Sequence, residues 1–149
     1  MKKLLRSLLA VMLVAMMAIA FTSCAKPEKV EDKLKDMDYE VDLLDDEDDI
    51  DEYLEEMELD LDGVTAIVEA WDEEDDAVCS VTIFWFKKKA DAEDAVETIE
   101  EYIDAMLDEL GDYVNELKDY MPEVASNGKI VVVGNGDVFD DACDIVKAK

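Results

Sequence analysis

All the acidic residues of this chain lie after residue 23. From there on, 42 Asp and Glu face 11 Lys (14 basic residues less Lys2, Lys3 and Arg6), a net charge of −31. Charge of one sign at this density repels itself in any compact state. Folding therefore requires the acids to stay on solvated surface while the apolar residues gather into continuous stripes and strand faces. Half of the chain is hydrophobic, enough to supply them. The same charge excludes a nucleic-acid binder, which needs clustered Lys and Arg against phosphate. The chain has no His, which excludes a Ser-His-Asp triad, a Cys-His dyad and a His-ligated zinc site. Its 149 residues allow one domain and not two.

The first 23 residues are of another kind. Lys2, Lys3 and Arg6 precede an unbroken apolar run of 14 residues, 8–21. A helix needs about 20 apolar residues to span a bilayer, so this run is short for a stable span and suits the core of a cleaved export signal. The positive end stays inside and directs the rest outward. Phe21-Thr22-Ser23-Cys24 closes the run. This resembles the lipobox of bacterial lipoproteins, in which an apolar residue and two small residues precede an obligatory Cys. Phe21 and Ser23 are variants of the commoner Leu and Gly or Ala. The resemblance covers residues 1–24 alone. It implies diacylglyceryl transfer to the Cys24 thiol, cleavage before Cys24, and N-acylation (palmitate or a similar chain) in many bacteria. It implies a mature chain, 24–149, anchored to a cell membrane on the extracytoplasmic side. Ala25 is not the Asp associated with inner-membrane retention in Gram-negative cells.

In the mature part, Pro27 opens a helical pattern carried by Val30, Leu34 and Met37, since Pro suits a first helical turn. Pro27 comes three residues after Cys24, a reach of only about 10 Å, which places a packed domain close to the lipid. Tyr39, Val41 and Leu43 alternate with acids, as in a strand. Ile50, Tyr53, Leu54 and Met57 predict a second helix, with Asp48 and Asp49 at its positive end. Asp62-Gly63 is a turn signal. Residues 64–71 and 77–86 are the strongest strand signals, rich in β-branched and aromatic side chains. The charged run 72–76 between them reads as a hairpin loop. A long helix is expected from about Asp91 to Tyr120 through Val96, Ile99, Ile103, Met106, Leu110, Tyr113 and Leu117, with Gly111 as a break or kink. Asn127-Gly128 turns into a short strand over 130–133, and a last helix begins near Asp137. The order α-β-α-β-β-α-β-α predicts an α+β fold. Its sheet is small and mostly antiparallel, of about four strands, with helices mainly on one face.

Several features carry alternatives. The long helix presents either a sheet-packing stripe or a coiled-coil seam; Ala92, Ala95, Leu107 and Val114 widen it toward the former. Pairing Val64, Ala66, Val68 and Ala70 with Cys79, Val81, Ile83 and Trp85 makes one core face. The opposite face then holds Thr65, Ile67, Trp71, Phe84 and Phe86 around Glu69. The first two helices cover that face, or Trp71, Phe84 and Phe86 form an exposed binding patch. Glu58, Asp60, Asp62, Gly63 and Glu69 have the spacing of a calcium loop, but a strand pattern follows Gly63 where that motif needs a helix. Cys79 and Cys143 are either a disulfide pair or small buried apolar residues. No carboxylate pair stands out among so many acids.

The sequence thus leads to an expectation of a membrane-anchored, non-enzymatic accessory or protein-interaction module, lipidated at Cys24. It carries no cofactor and no defined metal site. Its partners are the membrane, an unidentified protein, and weakly held non-specific divalent cations. The alternative is a ligand- or divalent-cation-binding surface module.

Overall fold

The computed structural model describes residues 25–72, 79–111 and 120–149. The expected signal segment with Cys24, residues 73–76 of the expected hairpin loop with 77 and 78 of the expected strand after it, and Tyr113, Val114 and Leu117 of the expected long helix lie outside them.

Helix α1 is Pro27–Lys35, with Pro27 in the first turn, where a missing N–H costs no hydrogen bond. Glu28 near its start and Lys33 and Lys35 at its end match the helix dipole. Strand β1, Glu40–Leu44, follows. Helix α2 is Glu47–Glu56, capped by the Asp46 carboxylate, which accepts from the Asp48 N–H at 3.0 Å. Strands β2 (Val64–Trp71) and β3 (Ser80–Phe86) form an antiparallel pair. Helix α3 runs Lys89–Leu110 and ends at Gly111, whose φ of 54° leaves the helical region. Strands β4 (Glu123–Asn127) and β5 (Ile130–Gly134) form a second hairpin, and helix α4 is Gly136–Val146.

The α+β class holds, with five strands in the order β1-β2-β3-β5-β4, every pairing antiparallel. The added strand is β4. Its sequence, EVASN, is short and polar because it lies at a sheet edge, where little of it is buried. The expected core face holds, since Ala66, Val68 and Ala70 share it with Val81, Ile83 and Trp85. The register is two residues from the expected one: Ala66 lies opposite Trp85 and not Ile83, Val68 opposite Ile83 and not Val81, Ala70 opposite Val81 and not Cys79. An irregularity between Val64 and Ala66 sets Val64 opposite Phe86 and turns its side chain to the other face.

Helices cover both faces of the sheet, which corrects the expectation of a single covered face. On one face, Val41, Ala66, Val68, Ala70, Val81, Ile83, Trp85, Ile130 and Val132 pack under α1 (Val30, Leu34) and α4 (Val138, Phe139, Ala142, Val146). On the other, Ile67, Phe84, Phe86 and Val131 pack under α2 (Ile50, Leu54) and α3 (Ala92, Ala95, Ile99). The reason is visible in β3 and β5. Alternate residues Val81, Ile83 and Trp85 point one way, Phe84 and Phe86 the other, and Ile130-Val131-Val132 is apolar throughout. A strand with two apolar faces needs cover on both.

The sheet-packing reading of the long helix also holds, over its first half. About 33 Å of helix lies beside strands of about 23 Å, so its last turns overhang. Ala92, Ala95 and Ile99 are buried, whereas Tyr102 (45 %) and Met106 (36 %) are exposed.

Two glycines are required sterically. Gly63 has φ +75°, and a Cβ there would meet Asp91 Oδ2 at 2.5 Å. At Gly134 a Cβ would overlap the Ser80 carbonyl, so no side chain fits where β5 leaves β3.

Candidate functional site

The junction between the signal segment and the domain is built from the core outward. Trp85 belongs to the face under α1, and its bulk lies in that core. Its indole N–H would be an unpaired donor there. It instead donates to the Ala25 carbonyl at 2.7 Å. Ala25 is the residue after Cys24, and it packs partly buried against the same core. Two residues later α1 begins, held by fully buried Val30 and Leu34. Ala25, the residue after Cys24, is therefore already bonded to the core, two residues before α1.

The residues expected to form an aromatic face are placed differently from that expectation. Phe84 and Phe86 lie 6.5 Å apart, ring centre to ring centre, and are buried under α2 and α3 (2 % and 3 % exposed). Only Trp71, at the other end of β2, retains surface, being half-buried. The exposed patch of Trp71, Phe84 and Phe86 is thus absent. It is α2 and the long α3 that cover this face, because α1 is drawn to the opposite one by Val30 and Leu34.

The same face carries a polar contact that the sequence reading passed over. Glu69 sits opposite Thr82 in the β2–β3 pair. Tyr53, from α2, donates its hydroxyl to Glu69 Oε1 at 2.7 Å and lies 3.5 Å from Thr82 Oγ1. Burial, with the Glu69 carboxylate as acceptor, pushes the Tyr53 phenol above its ordinary range. The signal was a lone Glu in an otherwise apolar strand face. On the other side of the sheet, Tyr39 donates to Asp141 Oδ2 at 2.7 Å and ties the start of β1 to α4. Its phenol is raised too, by burial and then by Asp141. Both contacts fix helices to the sheet.

Glu69 is therefore not a calcium ligand, and β2 follows Gly63 directly, so the loop-then-helix of that motif does not form. An open groove of about 470 Å³ lies between α2 and the start of β2, bordered by Asp45, Glu47, Asp51, Asp62 and Lys87. Among the described residues no cluster of three or more acids, Cys or His is arranged to hold a metal ion. None of them is a buried charged or polar residue either.

Cys79 and Cys143 are both half-buried against the α1/α4 core, and no disulfide joins them. Burial, followed by Asp140, Asp144 and Glu123, pushes the Cys143 thiol up to about 11, so it stays protonated at neutral pH. That suits a small packing residue and not a nucleophile.

No helix among the described residues is long and apolar enough to cross a membrane. No protein-family model, curated protein or solved structure matches this chain.

Proposed function

We propose that the chain is the precursor of a bacterial lipoprotein, cut before Cys24 and lipidated there. Residues 24–149 are then held at the extracytoplasmic side of a cell membrane as a non-enzymatic accessory or protein-interaction module. The observation that carries this reading is the junction. A short positive segment, a 14-residue apolar run and Phe21-Thr22-Ser23-Cys24 are followed at once by Ala25, whose carbonyl is bonded to the Trp85 indole of the core. Acyl chains contribute roughly 0.8 kcal/mol per buried CH₂, and two chains suffice for stable anchoring. The test is the intact mass of the mature chain from the membrane fraction. A chain beginning at Cys24 with a diacylglyceryl group is expected; an unlipidated chain, or a cut elsewhere, overturns the reading.

A non-enzymatic role is supported by how the polar side chains are used. The carboxylates with the most shielded hydroxyl partners, Glu69 and Asp141, hold α2 and α4 in place. An interaction role is supported by the overhanging part of α3, which displays Tyr102 and Met106 between acidic residues. Crosslinking on intact cells should capture a partner with the native chain. Tyr102→Ser with Met106→Ser should abolish that capture while leaving the unfolding midpoint in place; unchanged capture removes this surface from the reading.

The second reading, a divalent-cation or ligand surface, is favoured by the groove with Asp45, Glu47, Asp51 and Asp62 on its walls. Its four carboxylates gather hard cations as an ion atmosphere.

A further inference from the structure

The lysines of this acidic domain are not scattered. Ten lie among the described residues, and all ten are exposed. Strand pairing locates most of them at one end of the sheet. β3 ends at Phe86, β5 begins at Ile130 and β4 ends at Asn127, side by side, because Trp85 pairs with Ile130 and Asn127 with Ile130. Lys129 is in the β4–β5 turn, and its carbonyl accepts from the Phe86 N–H at 2.8 Å. Lys87 and Lys88 follow Phe86 directly. α4 runs back to the same end, where Asn127 Nδ2 donates to the Val146 carbonyl at 2.8 Å. Lys149 pairs backbone to backbone with Ser126, which brings Lys147 and Lys149 there. The Trp85 indole brings Ala25 to this end as well, and with it Lys26 and Lys29 of the first turn of α1.

The opposite end carries Asp38, Glu40, Asp72, Glu123 and Asp137. α3, covered in acid, overhangs it. Acids are present at the lysine end too. Asp45, Glu47 and Asp62 border the α2 groove with Lys87, Lys89 is paired with Glu93, and Glu28, Asp91 and Asp144 stand near in the chain. The positive surface is therefore the α1/α4 side of this end: Lys26, Lys29, Lys88, Lys129, Lys147 and Lys149.

We propose that this lysine-bearing end of the sheet is the membrane-facing surface of the domain, docked on anionic phospholipid headgroups. The inference rests on the anchored reading above. Three observations meet at one place. The chain enters the domain here, one residue after the lipid-bearing Cys. The entry residue is bonded to the core, so the domain cannot drift out on a tether. On the α1/α4 side of this end six lysines outnumber the acids near them in the chain, Glu28, Asp91 and Asp144, against the chain's net negative charge. Screening makes the local sign decisive. At physiological salt the surface field of a membrane decays over about 8 Å, so only the nearest layer of the domain feels it. On its α1/α4 side that layer is rich in lysine, and the acidic bulk, repelled, points outward with the C-terminal turns of α3 farthest from the lipid.

The test uses the full mature chain, purified with its lipid and placed in phosphatidylcholine vesicles with or without phosphatidylglycerol. A water-soluble amine acylating reagent is applied, and each lysine is read by mass spectrometry against the same chain in neutral detergent micelles. Lys26, Lys29, Lys129, Lys147 and Lys149 should be acylated more slowly on the anionic vesicles. A leaflet at about −30 mV enriches protons about threefold and slows acylation by that factor before any burial. Lys33 and Lys35, in the last turn of α1, are the internal reference and should not change. A second arm uses Lys129→Gln with Lys147→Gln and Lys149→Gln, all at exposed positions. It should erase the protection of Lys26 and Lys29 while the chain still floats with the vesicles. Uniform acylation of a floating chain, or equal protection on neutral vesicles, overturns this orientation and leaves the anchor standing. A chain without lipid, by intact mass, overturns the anchor and the orientation with it.

Discussion

The two faces of the sheet reach the same burial by opposite means. Under α1 and α4, β2 presents small residues, Ala66 and Ala70, and the helices supply the bulk, Leu34 and Phe139. Under α2 and α3, β3 presents the bulk, Phe84 and Phe86, and the long helix answers with Ala92 and Ala95. Complementary sizes keep both layers close-packed. The difference lies in how each face handles polarity. The first is apolar within, its polar contact being Tyr39–Asp141 at the margin. The second encloses Glu69 and Thr82 within its strands and needs Tyr53 over them. The first face is also the one that the chain enters, through Ala25 and Trp85. The lesson is one of place: the entry face keeps its directed hydrogen bonds, Tyr39–Asp141 and Trp85–Ala25, at its margin, and the far face carries one among its strands.

The comparison can be broken by unequal responses to mutation. Leu34→Ala and Ile67→Ala remove fully buried side chains from the first and second face respectively. Each should cost about 2–5 kcal/mol in urea unfolding of the detergent-solubilised mature chain. A loss below about 1 kcal/mol at either site would mean that its face is not a packed core. Ala95→Leu forces a larger side chain against β3 and should cost about 1–3 kcal/mol. The exposed Asp94→Leu on the same helix is the control and should change little.

Smaller effects sharpen the polar contrast. Tyr53→Phe strands Glu69 and should cost about 1–2 kcal/mol. Tyr39→Phe, at a more solvated site, should cost less; equal costs would erase the distinction between the faces. Alkaline pH tests both at once. The folded pKa values of Tyr53 and Cys143 are raised, Cys143 from 9.0 to about 11, so the unfolded chain gives up these protons first. The Cys143 contribution is complete below pH 9 and is lost as pH rises from 9 through about 11, whereas that of Tyr53 begins to be lost only above pH 10. For the partly exposed Cys143 this amounts to about 1 kcal/mol after solvent screening. Cys143→Ser should flatten that fall near pH 10, and an unchanged slope would remove the thiol from the account. The smallest effect is expected from cations. Calcium should raise the melting temperature more than sodium at equal ionic strength, through the acids around the α2 groove, and equal effects would dismiss the cation-binding reading.

Much of this architecture could be read from the residues. The core face of the β2–β3 hairpin appeared because small and large side chains alternate in step along the two strands, whereas its register came out two residues away, since a shift of two leaves every side chain on the same face. The α1 start appeared because Pro27 has few other uses. The signal segment and its Cys are purely sequence features. The misreadings share a cause. β4 was missed because an edge strand needs no apolar pattern. Phe84 and Phe86 were placed on a candidate surface because alternation says which residues share a face and not what lies over it. Tyr53 and Glu69, 16 residues apart, share no motif and meet only when α2 lies on the sheet.

Sequence alone determined the split between a positive, apolar first segment and a mature part of net charge −31, the helices and most strands, and the two apolar faces, because these follow from local periodicity and charge. Tertiary structure alone decided which helix covers which face. It also brought Lys26, Lys29, Lys129, Lys147 and Lys149 to the end where the chain enters. Those residues are far apart in the chain and are joined only by strand pairing and by the Trp85–Ala25 bond, a long-range geometry that no local pattern encodes.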